Sequence, residues 1–172
     1  MSRGLGDVYK RQFMRRLINI ISSVILLILI LIIAVIFIPK LFSIEPMVVV
    51  SGSMEPSYMK GSLLYVKEGV GGIETGDAIT FYRNGELVTH RVVEINTDEK
   101  TYTTKGDANQ VNDVQPVAWS DVIGVPVFDV PVLGYPASFL GTSQGKFVFI
   151  VLLIIFTGIT VLTDKKMEKT NG

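Results

Sequence analysis

Hydrophobic residues are concentrated in two long runs that enclose a middle region of short, alternating segments. The first run, residues 17–38, is broken only near its start, by Asn19, Ser22 and Ser23. At about 1.5 Å per residue, a helix of this length crosses a hydrocarbon core of roughly 30 Å. The run therefore predicts a retained transmembrane anchor, since it is too long for the apolar part of a cleavable secretory signal.

The second run, "FVFIVLLIIFTGITVL", extends from Phe147 to Leu162 and contains two threonines and a glycine. It lies at the lower length limit for a helix that spans a bilayer. Basic residues precede the first run and follow the second: Lys10, Arg11, Arg15, Arg16, Lys165, Lys166 and Lys169. Because basic flanks are retained on the cytoplasmic side, both ends are expected there and the middle region outside.

These spans divide the chain into five segments of a predicted multi-pass protein of the cell membrane. They are a cytoplasmic segment (residues 1–16), a transmembrane helix (17–38), an extracytoplasmic domain (39–146), a second transmembrane helix (147–163) and a cytoplasmic tail (164–172). The first twelve residues carry no pattern that predicts an element, and Met14 is a second candidate for the start of the chain.

The middle region has the alternation and the turn signals of β structure. Four segments are rich in β-branched and aromatic residues and are predicted as strands: Ser62 to Glu68, Asp77 to Arg83, Glu86 to Ile95 and Thr101 to Gly106. Asn84 and Gly85 between two of them form the strongest short-range hairpin signal. The pattern predicts one compact, mainly β domain on two membrane helices.

A later segment, "DVIGVPVFDVPVLGYP", mixes valines with Pro126, Pro131 and Pro136. Proline cannot donate to a strand ladder, so it is confined to edge strands and bulges. We therefore expect edge strands and bends near a membrane surface here.

Composition supports a membrane protein and excludes several kinds of site. Of the residues, 48% are hydrophobic, and the formal net charge is +0, which leaves no basic surplus for nucleic-acid binding. The absence of cysteine excludes thiol nucleophiles and thiolate metal sites. A single histidine disfavours a multi-histidine metal site, and no cofactor is expected.

A nucleophilic enzyme with this composition must use a serine or threonine that is activated by His90 or a lysine. In its strand, His90 shares a face with Val88 and Val92. It is therefore either a half-buried histidine that the backbone satisfies or a catalytic base, for which its ordinary pKa is suited.

A histidine base needs an acid on its second ring nitrogen, and the loop "TKGDANQVNDVQP" supplies Asp107 and Asp113. Acids in a loop are often only turn formers, and the serines of "SGSMEP" are open to the same reading. Each signal is weak alone, and only the combination suggests chemistry.

The segments "SGSMEP", "GDAITFY", "THRVVE", "TKGDANQVND" and "DVIGVPVFDVPVLGYP" occur in the order found in type I signal peptidases. The chain resembles this family from its first membrane helix to its last. It is more similar to the ER-type branch, which is found in the eukaryotic endoplasmic reticulum complex, in archaea and in some Gram-positive bacteria. The resemblance implies a membrane-bound serine endopeptidase that removes signal peptides, with its catalytic domain outside the cytoplasm.

By this resemblance the nucleophile is Ser53, the serine before a methionine, and the general base is His90, where the main bacterial branch has lysine. Asp113 matches the third catalytic residue, and Asp107 matches another acid of functional importance. Many relatives have two consecutive aspartates where this chain has Asn112 and Asp113. The resemblance also implies that the Ser53 amide and the Ser51 hydroxyl stabilise the oxyanion.

Gly52 is expected to leave room for the substrate backbone. The resemblance further implies that the substrates are secretory preproteins with small residues at the first and third positions before the cut (−1 and −3), bound in extended form beside a strand. The candidate edges are "PMVVV" and the strand of His90. Placing Ser53 shortly after a membrane helix would set its height above the bilayer, and Met54 is expected to add to an apolar surface there.

Two other functions remain open from sequence. The first is a Ser-Lys hydrolase that uses Lys60, Lys67 or Lys105. The second is a membrane-anchored binding domain without catalytic activity. The sequence does not predict an oligomeric state or the need for partner subunits.

Overall fold

The computed structural model describes residues 3–69 and 71–171, so Met1 and Gly172, the ends of the two predicted cytoplasmic segments, lie outside the described residues. The described chain forms two compact units, one made of the residues up to Val35 together with those from Leu140 onwards, and the other of Ile36–Phe139. The first unit is helical, and the second contains the β sheet. The prediction of a β domain with an apolar helix on each side is confirmed.

The helical unit contains most of α1 (Arg3–Phe37) and all of α3 (Ser143–Asn171). Both are longer than the apolar runs, and α1 includes residues before Met14 for which the sequence predicted no element. The stretches Gln12–Phe42 and Ser143–Lys165 are long and apolar enough to cross a membrane.

Three polar side chains of the helical unit, those of Asn19, Thr160 and Thr163, donate hydrogen bonds to acceptors on the helices. Asn19 donates from Nδ2 to Asp164 Oδ1 at 2.7 Å. Thr160 and Thr163 donate their hydroxyls to helix carbonyls, including that of Ile159. Hydroxyls that return to the preceding turn are satisfied without water, so the threonines are compatible with a membrane span.

The β unit is built on one antiparallel sheet with the strand order β1-β2-β7-β3-β4-β5-β6. Its strands are β1 (Ile44–Val48), β2 (Leu63–Glu68), β3 (Ala78–Arg83), β4 (Glu86–Asn96), β5 (Thr101–Lys105), β6 (Val117–Ala118) and β7 (Val122–Val130). Short 3-10 helices precede β1 (Pro39–Phe42) and β7 (Trp119–Asp121), and α2 (Gly134–Gly141) follows β7.

The four strands predicted in the middle region are confirmed as β2 to β5, and so is the hairpin. Asn84 and Gly85 have φ angles of 53° and 82° and join β3 to β4, with Arg83 opposite Glu86. Positive φ at both central turn residues matches the twist of the adjoining strands. One apolar cluster fills the core between these strands: Ile79, Phe81, Val92, Tyr102 and Val117.

The expectation that the proline-containing segment forms edge strands is wrong, because β7 lies in the middle of the sheet. It pairs with β3 only at Val122 and Gly124, and with β2 from Gly124 to Val130. Pro126 lies beyond the pairing with β3, at a register shift in the β2 pairing. A missing N–H is tolerated at such a bulge. Pro136 lies in α2 and not in a bend.

Candidate active site

The serine segment forms a tight turn between β1 and β2, and its backbone is held from both sides. Within the turn, the amides of Glu55 and Tyr58 donate to the carbonyls of Gly52 and Met54 at 3.1 and 2.9 Å. From the acidic loop, the amide of Ala108 donates to the Ser53 carbonyl at 2.9 Å. This contact ties the position of Ser53 to the loop that carries both candidate acids.

Gly106 makes this approach possible. A Cβ atom at Gly106 would lie 2.6 Å from the Ser53 carbonyl oxygen, which is closer than a side-chain carbon can approach a backbone oxygen. The glycine of "KGD" is therefore needed for the loop to pack against the serine turn.

His90 lies on β4 and is 7% exposed. Its Nε2 is 3.2 Å from Ser53 Oγ, and its Nδ1 is 2.7 Å from Asp113 Oδ2. The ring stands edge-on to Phe81, with 6.4 Å between centroids. The structure thus brings Ser53, His90 and Asp113 into one hydrogen-bonded line.

Asp113 Oδ2 has three partners. Besides the His90 ring, it accepts a hydrogen bond from Thr104 Oγ1 at 2.6 Å and lies 3.2 Å from an Arg83 guanidinium nitrogen. The Asp113 amide also donates to the Thr104 carbonyl at 2.8 Å. Burial alone would raise the pKa of Asp113, but the hydrogen bonds from Thr104 and His90 and the charge of Arg83 hold its pKa below the ordinary value. The carboxylate is therefore charged when it faces His90.

Asp107 is held by a different set of groups. Its two oxygens accept from Arg91 Nε at 2.8 Å and from an Arg91 terminal nitrogen at 2.6 Å. Ser57 Oγ donates to the same carboxylate at 2.6 Å, and Arg91 also donates to the Gly76 carbonyl at 2.7 Å. The Arg91 hydrogen bonds outweigh burial, and with Ser57 they lower the pKa of Asp107. Its carboxylate is bound to Arg91 and Ser57, whereas the carboxylate on His90 is that of Asp113.

The residues expected around the oxyanion lie beside the nucleophile. Ser51 Oγ is 3.3 Å from Ser53 Oγ. Among the residues that the structure describes, the Ser53 amide donates to no protein acceptor. A Cβ atom at Gly52 would meet only the Glu55 side chain, at 3.3 Å. The turn therefore leaves a hydroxyl and an N–H beside Ser53 Oγ, with little side-chain bulk between them.

A cleft of about 180 Å³ adjoins Ser53. One wall is formed by residues 47–51 and the other by residues 86–89 of β4, and its lining also includes Met54, Tyr58, Leu64 and Thr80. β5 pairs with β4 only from Arg91 onwards, so residues 86–90 have one edge that no strand among the described residues pairs with. The expectation that Met54 adds to the exposed surface is wrong, because Met54 is 2% exposed and lines this cleft.

The three lysines of the alternative mechanism lie in other surroundings. Lys67 is exposed on β2, opposite Ile44 and Val125, and Lys105 pairs with Arg91 at the end of β5. Lys60 follows the serine turn, and its amide donates to Glu55. Among the described residues, the basic side chain within hydrogen-bonding distance of Ser53 Oγ is that of His90. In the part of the chain that the structure describes, no three acidic or histidine side chains converge to hold a metal ion.

Sequence reasoning missed four residues that contact the candidate acids: Arg83, Arg91, Thr104 and Ser57. Arg91 and Thr104 adjoin or lie within motifs that were already singled out, and the alternation along β5 gives Thr104 and Tyr102 a common face. Arg83 carries no such signal, because its contact with Asp113 joins positions that are distant in sequence.

Comparison with known proteins gives a consistent family. A family model described as "Signal peptidase, peptidase S26" matches residues 20–116. The chain is 42% identical to signal peptidase I W of Bacillus subtilis over 89 residues, which is 49% of this chain and 47% of that protein. It therefore spans about half the length of that relative.

Two fungal relatives are similar over longer stretches. The signal peptidase complex catalytic subunit SEC11 of Yarrowia lipolytica is 30% identical over 113 residues, covering 58% of this chain and 66% of that protein. The corresponding sec11 subunit of Pyrenophora tritici-repentis is 30% identical over 148 residues, covering 77% of this chain and 83% of that protein. The region matched by the family model, residues 20–116, includes the serine turn, the β3–β4 hairpin and the acidic loop.

Proposed function

The chain belongs to the signal peptidase family S26, and on this premise we propose that it is a serine endopeptidase that removes N-terminal signal peptides from exported preproteins. The observation that carries the proposal is the line of contacts from Ser53 Oγ through His90 to Asp113. A nucleophile, a base and an orienting acid within hydrogen-bonding reach are the requirement for this type of hydrolysis.

In the proposed reaction, Ser53 Oγ attacks the scissile carbonyl while His90 Nε2 takes its proton. Asp113 keeps the proton of the imidazole on Nδ1 and stabilises the imidazolium that forms. His90 then gives its proton to the leaving amine, and the acyl ester on Ser53 is hydrolysed by a water that His90 activates. The Ser53 amide and the Ser51 hydroxyl donate to the oxyanion.

The proposed substrate is an extended segment that lies in the cleft beside the unpaired edge of β4. Backbone groups at an open strand edge favour β-augmentation by a peptide. A cleft of about 180 Å³ with a Met54 and Leu64 lining favours small apolar side chains. We therefore assign small residues to positions −1 and −3 of the preprotein, with "PMVVV", which begins in β1 and continues beyond its end, as the opposite wall.

Two apolar helices and the family relationship make this a membrane-anchored protein. We propose that both termini are cytoplasmic and that residues 39–146 form an extracytoplasmic catalytic domain in the cell membrane. The basic flanks support this orientation.

The test is cleavage of a preprotein with an Ala-x-Ala site by the full chain in detergent. Wild type should cut at that site, and Ser53→Ala and His90→Ala should each lose at least about a thousandfold in rate. Ser120→Ala is the matched control, because this exposed serine bonds only to its neighbour Asp121 among the described residues.

The alternatives predict different results in the same assay. Full activity in His90→Ala would mean that a lysine, and not His90, is the general base, and would support a Ser-Lys hydrolase. A folded wild type that binds the preprotein but does not cut it would support the binding-domain function.

A further inference from the structure

Arg83 connects the β3–β4 hairpin to the loop that carries Asp113. It lies at the end of β3, immediately before the hairpin turn. One terminal nitrogen is 3.2 Å from Asp113 Oδ2, and the other donates to the Gln115 carbonyl at 2.7 Å. Its guanidinium carbon lies 4.9 Å from the centroid of the Phe81 ring.

These contacts hold the guanidinium on three sides. An exposed arginine gains little from an ion pair, because ordering the side chain costs entropy and solvent screens the charge. The Arg83 side chain is only 21% exposed, and its contact with Asp113 is joined by a carbonyl acceptor and an aromatic face. The Gln115 carbonyl and the Phe81 ring thus restrict the orientation of the planar guanidinium independently of its contact with Asp113.

We propose that Arg83 is a positioning residue for the Ser53–His90–Asp113 group, which fixes the Asp113 loop to β3 and keeps Oδ2 aligned with His90 Nδ1. This inference rests on the proposed function. Among the described residues, Arg83 does not itself line the cleft, and its side chain contacts Asp113, Gln115 and Phe81, so we assign its effect on Ser53 to Asp113.

The need for such a residue follows from where Asp113 lies. Asp113 is in a loop, and its tether to the sheet on the β5 side is Thr104, through one side-chain and one backbone hydrogen bond. Arg83 adds a second tether from β3, which also reaches Gln115, two residues further along the loop. Two tethers from different strands resist rotation of the loop about a single contact.

Phe81 links the two ends of this arrangement. Its ring lies under the Arg83 guanidinium and meets the edge of the His90 ring. The ring is fully buried, so its position is fixed by the core. The guanidinium of Arg83 and the imidazole of His90 therefore both contact one rigid side chain, that of Phe81.

The expected effect of Arg83→Gln is a fall in kcat of about 10-fold to 100-fold, less than the loss of the base itself. KM should stay within about twofold, because the cleft lining is unchanged. Arg83→Lys should recover most of the loss, since it restores a charge near Asp113 but not the fork to Gln115. Lys67→Gln removes the same charge from an exposed position on β2 and should leave both constants unchanged.

A second readout does not depend on activity. His90 is the only histidine of the chain, so its Nδ1–H gives one imidazole proton resonance in a ¹⁵N-histidine-labelled sample. In Arg83→Gln this resonance should move upfield and exchange faster with water, because the bond to Asp113 is less well held. In Lys67→Gln it should match wild type. Arg83→Met, which keeps the aliphatic stem over Phe81, serves if the glutamine variant does not fold.

The outcomes separate this inference from the proposed function. Wild-type kcat and an unchanged Nδ1–H resonance in a folded Arg83 variant, with Ser53→Ala inactive, would overturn the role of Arg83 alone. A loss confined to KM would also overturn it. If Ser53→Ala cuts as well as wild type, the proposed function fails, while a shifted Nδ1–H resonance would still support Arg83 as the residue that holds Asp113 on His90.

Discussion

The site contains two aspartate–arginine pairs that consist of the same two residue types but differ in geometry. Asp107 and Arg91 meet through two short hydrogen bonds, at 2.6 and 2.8 Å. Asp113 and Arg83 meet at 3.2 Å through one oxygen, which also serves His90 and Thr104. The first pair uses its carboxylate for arginine and Ser57, whereas the second shares its carboxylate with the histidine.

This difference indicates two tasks for the same chemical pair. A bidentate pair satisfies both partners and gives a rigid connection. Asp107 thereby connects β4 to Ser57, in the segment that follows the nucleophile. An aspartate with a looser arginine contact remains available to an imidazole. The pairing geometry, more than the residue type, distinguishes the acid that is bound by Arg91 and Ser57 from the acid that contacts His90.

Of the substitutions that test this comparison, Asp113→Asn should have the largest effect, and the quantity it lowers is kcat. The amide has no charge to stabilise an imidazolium, and its NH₂ group favours the wrong tautomer of His90. We expect a loss of about a thousandfold or more in kcat, with the thermal unfolding midpoint changed by only a few degrees. Trp119 fluorescence reports folding of the β unit, since Trp119 stacks on Tyr102 at 5.8 Å. Activity within tenfold of wild type would contradict the role of Asp113.

Replacing Asp107 by asparagine should affect stability more than chemistry. It breaks the bidentate pair, and since the Arg91 side chain is 35% exposed, solvent reduces the cost to about 1–2 kcal/mol in the free energy of unfolding. We expect kcat to fall about tenfold at most. Preprotein cleavage and denaturant unfolding, measured on the same sample, give both values. A thousandfold loss of kcat with unchanged stability would reverse the two assignments.

The smallest expected effect is on how steeply the stability of the fold decreases as the pH falls. The pKa of Asp107 is lowered, so the pair contributes stability above the unfolded-state pKa of about 3.9 and loses it as pH falls through the lower folded pKa. Between about pH 4 and pH 2, the unfolding midpoint of Asp107→Asn should therefore fall less steeply than that of wild type. Parallel curves for the two proteins would contradict a pKa shift at Asp107. Lys67→Gln supplies the control for a change of one charge.

The sequence was informative where structure is local. Alternation and the Asn84–Gly85 turn predicted β2 to β5 because strand period and turn geometry depend on neighbouring residues. The motifs identified Ser53, His90 and Asp113 as candidates through their resemblance to a family. Local pattern alone left open whether these residues meet.

The features that were missed depend on pairing between distant segments. β7 lies at the centre of the sheet although its prolines favour an edge, because its two halves pair with different neighbours. The contact of Arg83 with Asp113 requires β3 to lie near a loop that is thirty positions away in the sequence. The pattern of hydrophobic and polar residues in either segment does not predict that the two are close. Met54 is buried and lines the cleft, which composition does not predict.

The central position of β7 has a consequence for the order in which the enzyme is made. The two walls of the cleft belong to the β1–β2 and β3–β4 parts of the sheet, and these parts are joined in the sheet only by residues 122–130. A chain emerging from the ribosome therefore carries its serine, histidine and aspartate before it carries the strand that pairs with both parts of the sheet. On the proposed function, the substrate cleft is therefore completed only once residues 122–130 have been synthesised.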